Sequence, residues 1–116
     1  RHCVQHSAGA AIWGPLLVTL NESKGGFTLL YKGDSIQRDE YSIMQNESSA
    51  DVISRLVRAL GIEQIDVCGL AGDICVLNTA EDLKRRGGNA RLNILEAYAP
   101  SLDGGSALKA FIKALD

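Results

Sequence analysis

The sequence predicts an α/β domain built on a parallel sheet, and three observations predict it. Short apolar runs with β-branched or aromatic residues at 27–32, 65–70 and 91–95 read as strands. Stretches with helical apolar spacing lie around and between them, the alternation that produces βαβ units. The run at 65–70 passes through an Ala-Gly-Asp turn into a helix. Open α/β sheets place their sites at such strand ends. At 116 residues the chain is one domain with room for a real core. A parallel sheet needs cover on its faces and neighbours at its edges, so three strands read as an incomplete sheet.

Taken in order, residues 1–11 read as a loop turning into a short helix. His2 and His6 stand four apart, a spacing that on a helix puts both imidazoles on one face. Solvent-facing histidines are the plainer reading of this pair. Residues 13–20 carry Leu16, Leu17 and Leu20 on one side of a helix, with Pro15 in its first turn. A turn through Gly25-Gly26 leads into the strand at 27–32, which ends on Lys32 before Gly33-Asp34. A lysine at the carboxyl end of a parallel strand can stabilise an anion beside a pocket, or simply stand in water. Residues 35–48 show no period and read as a loop.

Ser48 and Ser49 offer an N-cap to a helix striped by Val52, Ile53, Leu56, Val57 and Leu60, closed by Gly61 at C′. The strand at 65–70 reads as buried. Asp73 is the predicted N-cap of the helix that opens at Cys75 and turns Val76, Leu77, Ala80 and Leu83 inward. Gly87-Gly88 ends that helix. The strand at 91–95 follows, then a loop, then a last helix with Leu108, Phe111, Ile112 and Leu115 on one face.

Composition narrows the function. Twelve lysines and arginines against fourteen acids, interleaved along the chain, leave no basic patch for nucleic acid. No apolar run approaches the ~20 residues of a membrane span. Three cysteines without framework spacing fit a reducing, cytoplasmic compartment. The chain opens on Arg1-His2-Cys3 with neither an initiator Met nor an apolar leader, which reads as a fragment of a longer protein.

Cys75 is the candidate nucleophile. In the first turn of a helix that follows a strand, the helix dipole favours thiolate over thiol, and free N–H groups can hold an oxyanion. The competing reading is a small buried hydrophobe.

Four segments resemble one family. Gly69-Leu70-Ala71-Gly72-Asp73-Ile74-Cys75-Val76 is similar to the nucleophile motif of nicotinamidases, or pyrazinamidases, in the isochorismatase-like cysteine hydrolase superfamily. His2-Cys3-Val4-Gln5 resembles the family's His-Cys-Val segment, Tyr31-Lys32-Gly33 its lysine strand, and Tyr41-Ser42 the Tyr-Ser pair beyond it. Order and spacing agree along essentially the whole chain. The His-Cys-Val segment separates this branch from other amidohydrolases of the superfamily.

The resemblance implies a three-layer α/β/α domain with a parallel sheet, of which residues 1–116 are the C-terminal portion. It implies hydrolysis of nicotinamide or pyrazinamide, with Cys75 attacking the carboxamide to give a thioester and ammonia. Lys32 is expected to stabilise the transition state and help hold the catalytic carboxylate. The N–H groups of Ala71 and Cys75 are expected to form an oxyanion hole, with a cis Leu70–Ala71 peptide aiming the first. Tyr41 and Ile74 would line the pocket. His2 would be one ligand of a divalent metal, zinc before iron or manganese. The family's aspartate base and its Asp-x-His metal segment have no counterpart in these residues. Asp34, Asp39 and Asp73 stand elsewhere in the pattern, and Gly72 stands where threonine or serine is usual. Association with a segment carrying the absent groups, or a homo-oligomer, is therefore expected. An inactive relative serving as an assembly module is the alternative.

Overall fold

The computed structural model describes residues 2–115, and the chain divides into two compact units, Arg1–Leu30 and Tyr31–Asp116.

In the first unit a 3₁₀ turn at Ala8–Ala10 precedes helix α1, Gly14–Glu22. Pro15 lies in the first turn of α1, where its missing N–H costs no helical bond. Cys3 and His6 both have positive φ, so residues 2–7 are a string of turns and the helical spacing of His2 and His6 does not apply. No residue of α1 is buried.

The second unit holds helix α2 (Glu47–Ala59), strand β1 (Gln64–Val67), helix α3 (Leu77–Arg86), strand β2 (Arg91–Ile94) and helix α4 (Ser106–Ala114). The two strands pair in parallel, Gln64 opposite Arg91 through Val67 opposite Ile94, with α3 as the crossover. This is a mixed helical and strand architecture around a small parallel sheet. Among the described residues the sheet has two strands. The strand predicted at 27–32 does not form. A strand exists only by its ladder partner, and an apolar β-branched run supplies none by itself.

The strand at the centre of the prediction is also shorter and less buried than expected. It ends at Val67, and its residues alternate between exposed and half-buried. Ile65, Val67, Leu92 and Ile94 face the helices, while Gln64, Asp66, Arg91 and Asn93 form a polar face. Asp66 accepts from Gln64 Nε2 at 2.7 Å and Asn93 Nδ2 at 3.0 Å across that face.

Helices α3 and α4 follow their stripes, whereas α2 follows its own only in part, since Leu56 and Leu60 are exposed, and Leu16 and Leu17 of α1 are exposed too. Val76, Ala80, Ile94, Ala99 and Leu108 make one core cluster, with Phe111, Ile112 and Leu115 of the last helical stretch packed against it. Met44, Ala50 and Leu83 make a second, with Ile53 and Ile65 beside it. Val67 and Leu92 touch both, so the sheet joins the two cores. The start of α2 differs from prediction: Asn46, not Ser48 or Ser49, is the N-cap, its Oδ1 accepting from Ser49 N at 3.1 Å. Its end is as predicted. Gly61 takes φ +59°, and bonds from Gly61 N to Arg58 O and from Ile62 N to Val57 O close a Schellman motif. Among the described residues no helix is long and apolar enough to cross a membrane.

Candidate active site

Beyond β1 the chain runs through Cys68, Gly69 and a cis Leu70–Ala71 peptide into a π-helical turn, Gly72–Val76, which continues as α3. Cys75 therefore sits in a wide turn before the α-helix rather than in its first turn. Single π turns are rare and recur at functional sites. Two backbone bonds dock this corner onto the loop after β2: Gly69 N donates to Tyr98 O at 2.9 Å, and Gly72 N to Pro100 O at 2.8 Å. The approach is closest at Gly72, where a Cβ would lie 2.1 Å from the Ala99 carbonyl oxygen.

Asp73 is not the N-cap. Ala71 holds that position, and Asp73 already lies inside the turn. Its carboxylate instead accepts from Leu102 N at 3.0 Å and Asp103 N at 3.1 Å, ordering the approach to α4. Asp103 in turn accepts from Gly105 N and Ala107 N, capping α4, and these bonds hold its carboxyl below the usual carboxylate range.

The structure brings Lys32 and Cys75 together. Lys32 Nζ donates to Cys75 Sγ at 3.4 Å and to the Glu40 carbonyl at 3.1 Å. Cys75 is half-buried, whereas Cys3 and Cys68 are exposed, and all three are free thiols. An ammonium beside a sulfur is what a thiolate nucleophile uses for charge compensation. Gly72 N and Ile74 N are occupied by the Pro100 and Ala71 carbonyls. The N–H of Ala71 has no acceptor among the described residues, as an oxyanion donor requires.

Tyr41 is exposed and its hydroxyl lies a long 3.5 Å from Asp39 Oδ2. Ile74 is half-buried, its carbonyl accepting from Asn78 Nδ2 at 2.7 Å. Of the carboxylates weighed as a base, Asp34 accepts from Asn46 and Asp73 serves the loop before α4. Among the described residues no carboxylate bonds to Cys75 or pairs with Lys32. His2 is exposed. A structural zinc needs four ligands and a catalytic one three, and no group of three or more His, Cys, Asp or Glu converges among the described residues. By themselves the described residues hold no complete metal centre.

Two residues that sequence reasoning missed support the pair. Glu40 is buried in a polar loop, its Oε1 accepting from Gly33 N at 2.8 Å and from Asn46 Nδ2 at 3.1 Å. Asn46 and Gly33 N hold its carboxyl below the ordinary value, with Arg38 adding to them and burial opposing. No periodicity marks either residue. A cavity of about 450 Å³ lined by Ile53, Val57, Leu83, Glu63 and Ala90 lies at the amino ends of the strands, the end opposite Cys75. Comparison of the chain with protein-family models, with curated proteins and with solved structures returns no match.

Proposed function

We propose that Cys75 is the nucleophile and Lys32 its cation in an amide hydrolase of the nicotinamidase type, set in an isochorismatase-like three-layer domain. The observation that carries this is the 3.4 Å approach of Lys32 Nζ to Cys75 Sγ at the carboxyl end of a parallel strand. In the proposed reaction the sulfur adds to the carboxamide carbon, and the carbonyl electron pair moves onto oxygen beside the Ala71 N–H. The pair returns, the C–N bond breaks, and the nitrogen leaves as ammonia with the proton lost by the thiol. Water then adds to the thioester, the C–S bond breaks, and the acid and free thiol are released. Lys32 offsets the negative charge at both additions. The proton acceptor is assigned to an aspartate supplied from outside residues 1–116. Three free cysteines agree with a reducing, cytoplasmic setting.

The test is incubation with nicotinamide, alone and with an N-terminal segment of the family's pattern added in trans. Ammonia is measured, and the Cys75 peptide is weighed after acid quench. A nicotinoyl thioester on Cys75, abolished in Cys75→Ala and weakened in Lys32→Met, is expected. Ammonia release that survives Cys75→Ala, or no adduct and no ammonia in either arm, sinks the proposal. A second reading, an inactive assembly module, is favoured by the two-stranded sheet, whose outer edges carry no strand among the described residues. Tight binding of the added segment with no ammonia would select it.

A further inference from the structure

We propose that Glu40 is the positioning residue that holds Lys32 against Cys75, an inference that rests on the proposed pairing of those two side chains. Lys32 is an exposed residue in a segment with no ladder of its own, on a flexible four-carbon stem. Something other than a sheet must fix it. Both peptide groups that flank it are pinned. On one side the Tyr31 carbonyl accepts from Ser49 Oγ at 2.5 Å. On the other the Gly33 N–H donates to Glu40 Oε1 at 2.8 Å. The ammonium then donates to the backbone carbonyl of the same Glu40, at 3.1 Å, and to Cys75 Sγ. One residue thus grips both the chain beside Lys32 and the tip of its side chain.

The grip is anchored in α2. Asn46, the N-cap of α2, donates through Nδ2 to Glu40 Oε1 and to Asp34 Oδ1, at 3.1 and 2.8 Å, while its Oδ1 accepts from Ser49 N. Residues 31, 34 and 40 are therefore bonded directly to the first turn of α2 or its cap, and residue 33 is tied to them through Glu40. The Glu40 side chain is only 3% exposed, with Arg38 Nη2 3.6 Å from its other oxygen. A carboxylate so buried is costly unless every acceptor is served. Here the donors that serve it are the ones that fix the Lys32 segment. Glu40 makes no bond to the Cys75 sulfur, so it acts through Lys32.

The experiment compares alkylation of Cys75 by anionic iodoacetate and neutral iodoacetamide in the full chain, with each rate read at the Cys75 peptide. An ammonium held beside the sulfur favours the anionic reagent, so the rate ratio reports where Lys32 sits and not how stable the fold is. Lys32→Met is expected to lower the ratio by about fivefold. Glu40→Ala is expected to fall to the same level. Glu40→Gln, whose amide oxygen still accepts from Gly33 and Asn46, is expected to keep the wild-type ratio. If Lys32→Met lowers the ratio but Glu40→Ala does not, or Gln matches Ala, the positioning role is overturned. If Lys32→Met itself changes nothing, the Lys32–Cys75 pairing fails first. Should Glu40→Ala lose its circular dichroism, Glu40→Asp replaces it, since its carboxylate stops one methylene short of Gly33. Independently of any variant, exchange of the Gly33 amide at the rate of an unstructured glycine overturns the clamp.

Discussion

Gly72 and Ala99 lie so close that a methyl group at position 72 would come within 2.1 Å of the Ala99 carbonyl oxygen, and within 2.6 Å of Ser101 Oγ. The near atom is backbone, held by the bond from Gly72 N to Pro100 O, so it cannot swing aside. Gly72→Ala must push the corner carrying Cys75 away from the loop after β2. Overpacking of this kind costs about 1–3 kcal/mol. The expected outcome is a lower urea midpoint together with a changed alkylation rate at Cys75. Wild-type values for both would show that the contact is not rigid.

The same position shows how far the sequence could be read. Gly72 looks like a mild departure from the threonine or serine of the resembling motif, because no local pattern reveals the Ala99 carbonyl 27 residues on. Helices α3 and α4 are legible, since their stripes report burial through spacing alone, while the α2 stripe gives the helix but overstates its burial at Leu56 and Leu60. Gly61 is legible too, since its role is set by the helix it follows. The strand at 27–32 is not, because strand formation depends on a distant partner. Asp73 was misplaced for a related reason. The π turn moved the start of the helix two residues back to Ala71 and freed the carboxylate for Leu102 and Asp103. The Lys32–Cys75 approach joins residues 43 apart in sequence, a separation that no periodicity can report.

Leu108 tests whether α4 is part of the main core. It is 1% exposed and clusters with Val76, Ala80, Ile94 and Ala99. Leu108→Ala should cost about 2–5 kcal/mol, the usual range for a buried leucine that leaves a cavity. Leu60→Ala, at a position 67% exposed just beyond α2, should stay within about 0.5 kcal/mol. Urea unfolding of the two variants side by side checks the contrast. Equal losses would mean that the amphipathic stripe, and not the core, decides.

Gly61 makes a narrower prediction. Its φ of +59° places it in the left-handed region, and nothing lies within 4 Å of the Cβ that an alanine would add. Gly61→Ala therefore meets no clash, and its cost is conformational, about 1 kcal/mol. Gly61→Asn should lose less, because asparagine tolerates that region better. A loss several times larger would point to packing not visible at this site.

Acid should loosen the second unit at each of its depressed carboxyls, Asp103 before α4 and, with more donors from elsewhere in the fold, Asp66 and Glu40. On the polar sheet face, Asn93 first and Gln64 next hold the Asp66 carboxyl below its ordinary value of 3.8, with Arg91 adding and burial opposing. In the loop, Asn46 first and Gly33 N next do the same for Glu40, below its ordinary 4.5. A carboxyl whose folded pKa is depressed binds its proton more readily when the chain is unfolded. Its stabilisation is complete above the unfolded value and is lost as pH falls through the folded one. The urea midpoint should thus be flat from about pH 7 to about pH 5.5 and decline below about pH 4.5. Asn93→Ala removes the leading donor to Asp66, so that variant should start lower and lose less between about pH 5 and pH 3. A midpoint that rises on acidification, or an Asn93→Ala profile parallel to wild type, would mean that these bonds do not hold the carboxylates in solution.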